Sequence, residues 1–342
     1  MADPQARFQE ANLRTERIRD LGLSIEGTRL EPLIAEFQAE VTALQLAHLK
    51  PTFYLSTEWG VVFGSQSIAL PFYLARPELE ALQVEQVGHL EGAGRAETLR
   101  YLRHEFGHVV NYAYHLFEME EWVRQFGSIT QPYVEEYSPK PFSRRFVRHL
   151  PGWYAQKHPD EDWAETFAVW MTPGKDWRKS YRTWPTALAK LEYCDRLLGT
   201  LRDQPPIVVV QERDEEVGEL SISLQEYYSQ LDKSEDGLPP GLEGALTAIF
   251  EDMGSPESEP GVARKPAWTL LRNMERELVS NVYLWTGHFP ERTRALVRHL
   301  ATRAEELQQV YPADKEGPLS IAITTFVTAL AMNHVHRGTY MP

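Results

Sequence analysis

The chain has one cysteine, Cys194, in 342 residues. No disulfide can close within it, which excludes a disulfide-stapled secreted scaffold and makes a reducing compartment the expected setting. Positive charge is also scarce: 35 Lys and Arg stand against 49 Asp and Glu, a net charge of −14. No basic face dominates, so nucleic acid is not an expected partner. The opening stretch MADPQARFQEANLRTERIRD lacks an apolar signal region, and no unbroken apolar run reaches membrane-spanning length. A cytoplasmic protein with no membrane partner is therefore expected. Solenoid-length repeats and phosphate-loop glycine spacing are absent as well. What is present, 42% hydrophobic and 11% aromatic residues, suffices for packed cores and excludes general disorder.

A chain of this length outgrows one small core, and two domains are expected, 1–202 and 203–342. Leu30, Ile34, Phe37, Val41 and Leu44 space out one buried helix face. From Thr52 the pattern shortens to Phe53-Tyr54-Leu55, Gly60-Val61-Val62-Phe63 and SIALPFYL from Ser67, three strands joined by tight turns. Pro71 cannot donate to a ladder, which places SIALPFYL at a sheet edge. Beyond residue 220 the pattern is helical, with GSPESEP at 254–260 the strongest linker signal.

Residues 100–114 read RYLRHEFGHVVNYAY. Leu99, Leu102, Phe106, Val109 and Ala113 recur at helical spacing, so His104 and His108, four apart, share a face and can address one atom. The stripe faces the core while the imidazoles border a cleft. This is the HExxH arrangement, in which two histidines hold Zn²⁺ and the intervening Glu105 acts as general base. A third ligand is expected from HPDEDWAETFA, where Pro159 and the acidic residues after it open another helix. Glu165 completes a His/His/Glu set on a second helix, away from Trp163 and Phe167. Asp162, on the same face, either fixes the tautomer of a ligand imidazole or is simply a first-turn acidic residue.

HEFGH followed by this ExxAE-type helix resembles the gluzincin branch of the zinc metallopeptidases, and the first motif is similar to that of the anthrax lethal factor catalytic domain. IALPFYLARPEL, RHEFGHVVNYAY, WYAQKHPDEDWAETFA and KLEYCDRL resemble a group of bacterial zinc-binding metallopeptidases over residues 51–200. The resemblance implies an α+β, zincin-like domain with a small twisted sheet and an active-site helix, followed by an α-helical domain. It also implies His104, His108 and Glu165 as ligands, Glu105 as base, Zn²⁺ as cofactor and a peptide or protein substrate. Many gluzincins carry Asp four residues after the ligand Glu, where this chain has Val169.

Hydrolysis of peptide or amide bonds is the expected activity; the alternative is a zincin-fold regulatory or binding module that holds metal with little proteolysis. The oxyanion needs a donor, and both Tyr154 and His158 precede Glu165 within reach. Tyr154 is favoured because a phenol donates at neutral pH whatever surrounds it. Arg144, Arg145 and Arg148 either clamp a substrate carboxylate or form ordinary surface ion pairs.

Overall fold

The computed structural model describes residues 13–340 except 47, 88, 135–136, 138, 141, 203, 232–241 and 254–262. The expected linker at 254–260 lies outside them. The chain forms two compact units, one comprising residues up to 82 and 90–227, the other 83–89 and 228 onward. The division thus follows Tyr227 rather than residue 202. The reason is local. The extended stretch after 203 is bonded into the first unit, where Ile207 and Val208 N–H both donate to the Ala113 carbonyl and Gln66 N–H donates to that of Val210. Further along, Val217 N–H reaches the Leu55 carbonyl.

In the first unit, α1 (Leu30–Ala43) buries Leu30, Ile34, Phe37 and Val41, the stripe read from its spacing. A three-stranded sheet follows: β1 (Thr52–Ser56), β2 (Gly60–Val61) and β3 (Ser67–Pro71). Its order is β1-β3-β2, with β3 parallel to β1 and antiparallel to β2. SIALP is therefore the central strand, against the expectation of an edge. Pro71 is tolerated because it is the last residue of the strand and leads directly into the 3₁₀ turn Phe72–Ala75. Every residue of β3 is buried, as a strand covered on both faces requires.

The further helices are α2 (Pro77–Val87), whose part from Gln83 on belongs to the second unit, α3 (Arg95–Ala113), α4 (Glu120–Phe126), α5 (Pro159–Met171), α6 (Trp177–Ser180) and α7 (Pro185–Leu201). α3 is tied to α1 by the fork of Arg103 on Glu40, at 2.8 and 2.7 Å, and by the edge-to-face pair Phe37–Phe106. α5 lies between α3 and α7. Trp163 Nε1 donates to the Gly107 carbonyl at 2.8 Å on one side, and Asp162 pairs with Lys190 on the other.

The second unit is also mixed. After α8 (Leu224–Leu231), whose first half belongs to the first unit, α9 (Glu243–Ile249), α10 (Ala267–Thr286), α11 (Pro290–Glu306) and α12 (Glu316–Arg337) accompany a small antiparallel sheet, β4 (Glu251–Asp252), β5 (Arg264–Pro266) and β6 (Gln309–Pro312), ordered β4-β6-β5. The helical expectation beyond residue 220 holds, and the sheet is an addition to it. The core draws on Leu270, Leu278, Leu300, Val327 and Leu330. The stretch Ala313–Arg337 is long and apolar enough, by length and composition, to cross a membrane, although polar residues such as Thr324, Thr325 and Thr328 interrupt it, so that it contains no unbroken apolar run of that length. Ile323, Val327, Leu330 and Ala331 of that helix are buried. The chain as a whole is α+β, mostly helical, with small sheets.

Candidate metal centre

α3 is buried over nearly its whole circumference from Thr98 onward, so the imidazoles do not merely border a cleft. His104 is 2% and His108 6% exposed. The cover is α5, and the approach is close because of the glycine in HEFGH. A Cβ on Gly107 would stand 2.8 Å from Ala164 Cα and 3.1 Å from its carbonyl oxygen. Only glycine lets the two backbones meet there, which gives that position of the motif a packing reason.

Three donors converge across this contact: His104, His108 and Glu161. Glu161 Oε2 is 3.0 Å from His104 Nε2 and 3.3 Å from His108 Nε2, and the two Nε2 atoms are 3.3 Å apart. Glu165, expected as third donor, occupies the opposite edge of the His104 ring, with Oε1 3.0 Å from Nδ1. Its carboxylate also accepts the backbone N–H of Leu150 at 2.9 and 3.1 Å and of His149 at 3.1 Å. Those three contacts hold it behind the imidazole. Glu161 and Glu165 are one turn apart and share the α3-facing side of α5, so residue type and helix face could not separate them.

His108 has a carboxylate at ion-pair distance: Nδ1 lies 3.1 Å from Asp160 Oδ2, without hydrogen-bond geometry. Asp160 also accepts from Asn111 Nδ2 at 2.7 Å and from the Tyr112 hydroxyl. Asp162, for which orienting an imidazole was one of two expected roles, lies in a buried pair with Lys190. Its neighbours explain the difference from the first of those roles. α5 is buried on all sides, so the absence of Trp163 and Phe167 from a face does not mark that face as the site. Burial raises the Asp162 carboxyl to about 7 against the pull of Lys190.

The donor set suits a cation such as zinc, which takes imidazole nitrogen and carboxylate oxygen. Carboxylates at both Nδ1 atoms favour N–H there, which turns the Nε2 lone pairs toward each other and toward Glu161. Three acceptors then face one point, an arrangement that needs positive charge between them. In the absence of a cation, protons supply it. Burial opposes the charged form of His104, yet Glu161 and Glu165 raise its pKa to about 9. Asp160 and Glu161 similarly push His108 well up, and Glu161 stays ionised beside both imidazoles despite its burial. Glu105, between the histidines in sequence, is 5% exposed, and burial lifts its carboxyl to about 7.

Around this centre the structure redistributes the remaining candidates. Tyr154 has its ring 5.5 Å from that of His104, and burial together with the Glu161 charge drives its phenol well above the ordinary value, so it stays protonated. The backbone leading into it is left-handed at Gly152 (φ 76°) and Trp153 (φ 56°), a conformation unusual for tryptophan. His158 is the N-cap of α5: Nδ1 accepts from Asp160 N–H at 3.2 Å, leaving Nε2 to donate to the Gln131 carbonyl at 3.0 Å. With both ring nitrogens engaged, it is not placed as an oxyanion donor. Arg144, Arg145 and Arg148 are all exposed. The Arg148 guanidinium rests over the rings of Phe142, Trp153 and Trp184 at 5.3–5.7 Å.

The sequence reading did not single out Glu161, which the structure groups with the two imidazoles, nor Asp160 beside His108. One signal was available. With Glu161 as ligand, the acidic residue four positions later is Glu165, which removes the departure that Val169 represents. Comparison with protein-family models, curated proteins and solved structures returned no match.

Proposed function

We propose that this chain is a zinc-dependent hydrolase of peptide or amide bonds, with a zincin-like, gluzincin-type first unit. The convergence of His104 Nε2, His108 Nε2 and Glu161 Oε2 on one buried point, with Glu105 between the histidines, carries the reading. Zinc bound there supplies a Lewis acid that polarises the scissile carbonyl and makes water acidic enough to attack near neutral pH.

The rest of the chemistry falls to the chain's own side chains. Glu105, raised toward neutrality by burial, takes the proton of the attacking water and returns it to the leaving amine; a base with a pKa near the working pH does both well. Tyr154, a phenol kept protonated beside His104, is the donor for the developing oxyanion. Glu165 and Asp160 hold the two imidazoles in the tautomer that presents Nε2. β2, the antiparallel outer strand beside β3, replaces SIALPFYL as the edge on which an extended peptide adds. The exposed Arg144, Arg145 and Arg148 offer charge for an acidic substrate group.

The test is metal analysis of purified protein together with peptide-library cleavage. Wild type should hold one zinc per chain, His104→Ala should lose it, and Glu105→Gln should keep it while losing hydrolysis. Stoichiometric zinc in His104→Ala, or wild-type turnover in Glu105→Gln, would overturn the reading.

A further inference from the structure

Glu161 uses its two oxygens differently. Oε2 faces the histidines, at 3.0 and 3.3 Å from their Nε2 atoms. Oε1 instead accepts a hydrogen bond of 2.7 Å from the hydroxyl of Tyr133. Tyr133 belongs to neither metal-site helix. It comes from the irregular segment after α4 and is 48% exposed, so burial alone does not hold its phenol in place.

Specific contacts do. His158 both caps α5 and donates to the Gln131 carbonyl, two residues before Tyr133. The same imidazole lies against the Tyr133 ring, centroids 5.2 Å apart. Lys157 Nζ stands 4.3 Å over the Tyr133 ring, a cation–π contact that further restrains it. His158 thus joins the start of the Glu161 helix to the segment carrying Tyr133, which holds the phenol against the carboxylate.

We infer that Tyr133 is a positioning residue that holds Glu161 in one-oxygen coordination, by occupying Oε1 so that only Oε2 is offered to a cation. This rests on the zinc reading above. A carboxylate whose second oxygen is unpartnered is free to turn and bind through both. That would fill the position a catalytic zinc site keeps open for water or substrate. Hydrogen bonds to a ligating carboxylate restrict this choice, and their loss typically weakens metal binding about 10–100-fold.

The experiment compares wild type, Tyr133→Phe and Tyr154→Phe for zinc affinity, by chelator competition, and for the visible spectrum of the cobalt(II)-substituted protein, whose intensity falls as coordination number rises. Phenylalanine keeps the ring against His158 and Lys157 and removes only the hydroxyl. Tyr133→Phe should bind zinc about 10–100-fold more weakly and give a weaker, higher-coordinate cobalt spectrum, with an unchanged melting temperature in the metal-free form. Tyr154→Phe, whose hydroxyl is 3.4 Å from that of Tyr133, should match wild type in both measurements. His158→Asn retains an N-cap but releases Gln131, and should shift affinity and spectrum in the same direction by less; it decides the matter if Tyr133→Phe fails to fold. Wild-type affinity and spectrum in Tyr133→Phe, or equal changes in the two Phe variants, would overturn the inference. Loss of zinc in His104→Ala alongside an unaffected Tyr133→Phe rejects this role alone; equal zinc in wild type and His104→Ala rejects the metal centre itself.

Discussion

Each unit contains a pair of closely packed, largely buried helices, but what they bury differs. Between α3 and α5 the first unit encloses His104, Glu105, His108, Asn111, Asp160, Glu161 and Glu165, all buried. The helices α10, α11 and α12 of the second unit bury mostly Leu, Val, Ile and Ala. Its buried polar residues, among those described, are few: Thr286, Thr293, Arg294, Gln309 and His288, the last bonded to Thr293 at 2.7 Å and to the Tyr340 hydroxyl at 2.8 Å. Burying apolar groups stabilises a fold directly, whereas burying ionisable groups is unfavourable unless each finds a partner. The second unit's interior needs no explanation beyond its own cohesion. The first unit's carboxylates and imidazoles oppose folding unless a charge sits among them, which is why the polar helix pair is read as a site.

The largest effect that would break this contrast is on metal. Glu161→Ala should abolish stoichiometric zinc, while Leu330→Ala, at a fully buried position of the second core, should leave zinc content untouched; metal analysis of both variants decides it. If Leu330→Ala also emptied the site, the two interiors would not be independent.

Stability reverses the ranking. Leu330→Ala should cost about 2–5 kcal/mol through lost burial and a residual cavity, measured by denaturant unfolding. Glu161→Ala in metal-free protein removes a carboxylate but leaves two imidazoles free to lose their protons, and should cost less.

A smaller effect separates the two glutamates of α5. Glu165→Gln keeps the backbone contacts of the carboxyl in part and removes its charge behind His104. Zinc affinity should fall about 10–100-fold rather than vanish, as chelator competition would show. Complete loss of zinc in Glu165→Gln, with retention in Glu161→Gln, would restore Glu165 as ligand and exclude the arrangement described here.

The smallest expected effect concerns pH and a buried histidine of the second unit. Burial lowers the His288 pKa to about 3, helped by His334 and Arg292 nearby. Below about 6.5, the ordinary histidine value, the unfolded chain therefore takes up a proton that the folded form refuses. Stability contributed by His288 is present above pH 6.5 and declines by at most about 1.4 kcal/mol for each unit below it. Denaturant unfolding at pH 7.5 and 5.5 should show a steeper loss for wild type than for His288→Gln; parallel losses would mean that His288 is protonated in the folded state.

Much of the arrangement was legible along the chain. The α1 stripe, the three short strands, the HEFGH helix and the proline-led acidic helix α5 follow from period, turn residues and capping, which act between residues close in sequence. The exceptions were of one kind. SIALP was placed at an edge on the strength of Pro71, but a proline at the last position of a strand constrains only its end. The division between the units falls beyond residue 202 because the valine-rich run after 205 is hydrogen-bonded to Gln66 and Ala113, far away in sequence.

The candidate metal site divides along the same line. By itself the sequence determined that His104 and His108 project together with Glu105 between them, and that a second helix rich in carboxylates follows; helical geometry places residues four apart on one face in any context. Which carboxylate does what was decided only in the folded molecule. In α5, Asp160, Glu161, Asp162 and Glu165 are all buried, so no exposed face distinguishes them. Their directions are set by partners on other elements: Asn111 and Tyr112 for Asp160, the two imidazoles and Tyr133 for Glu161, Lys190 for Asp162, and the backbone of His149 and Leu150 for Glu165. A helix enclosed on every side has no amphipathic pattern to read, and its side chains take their roles from whatever packs against them.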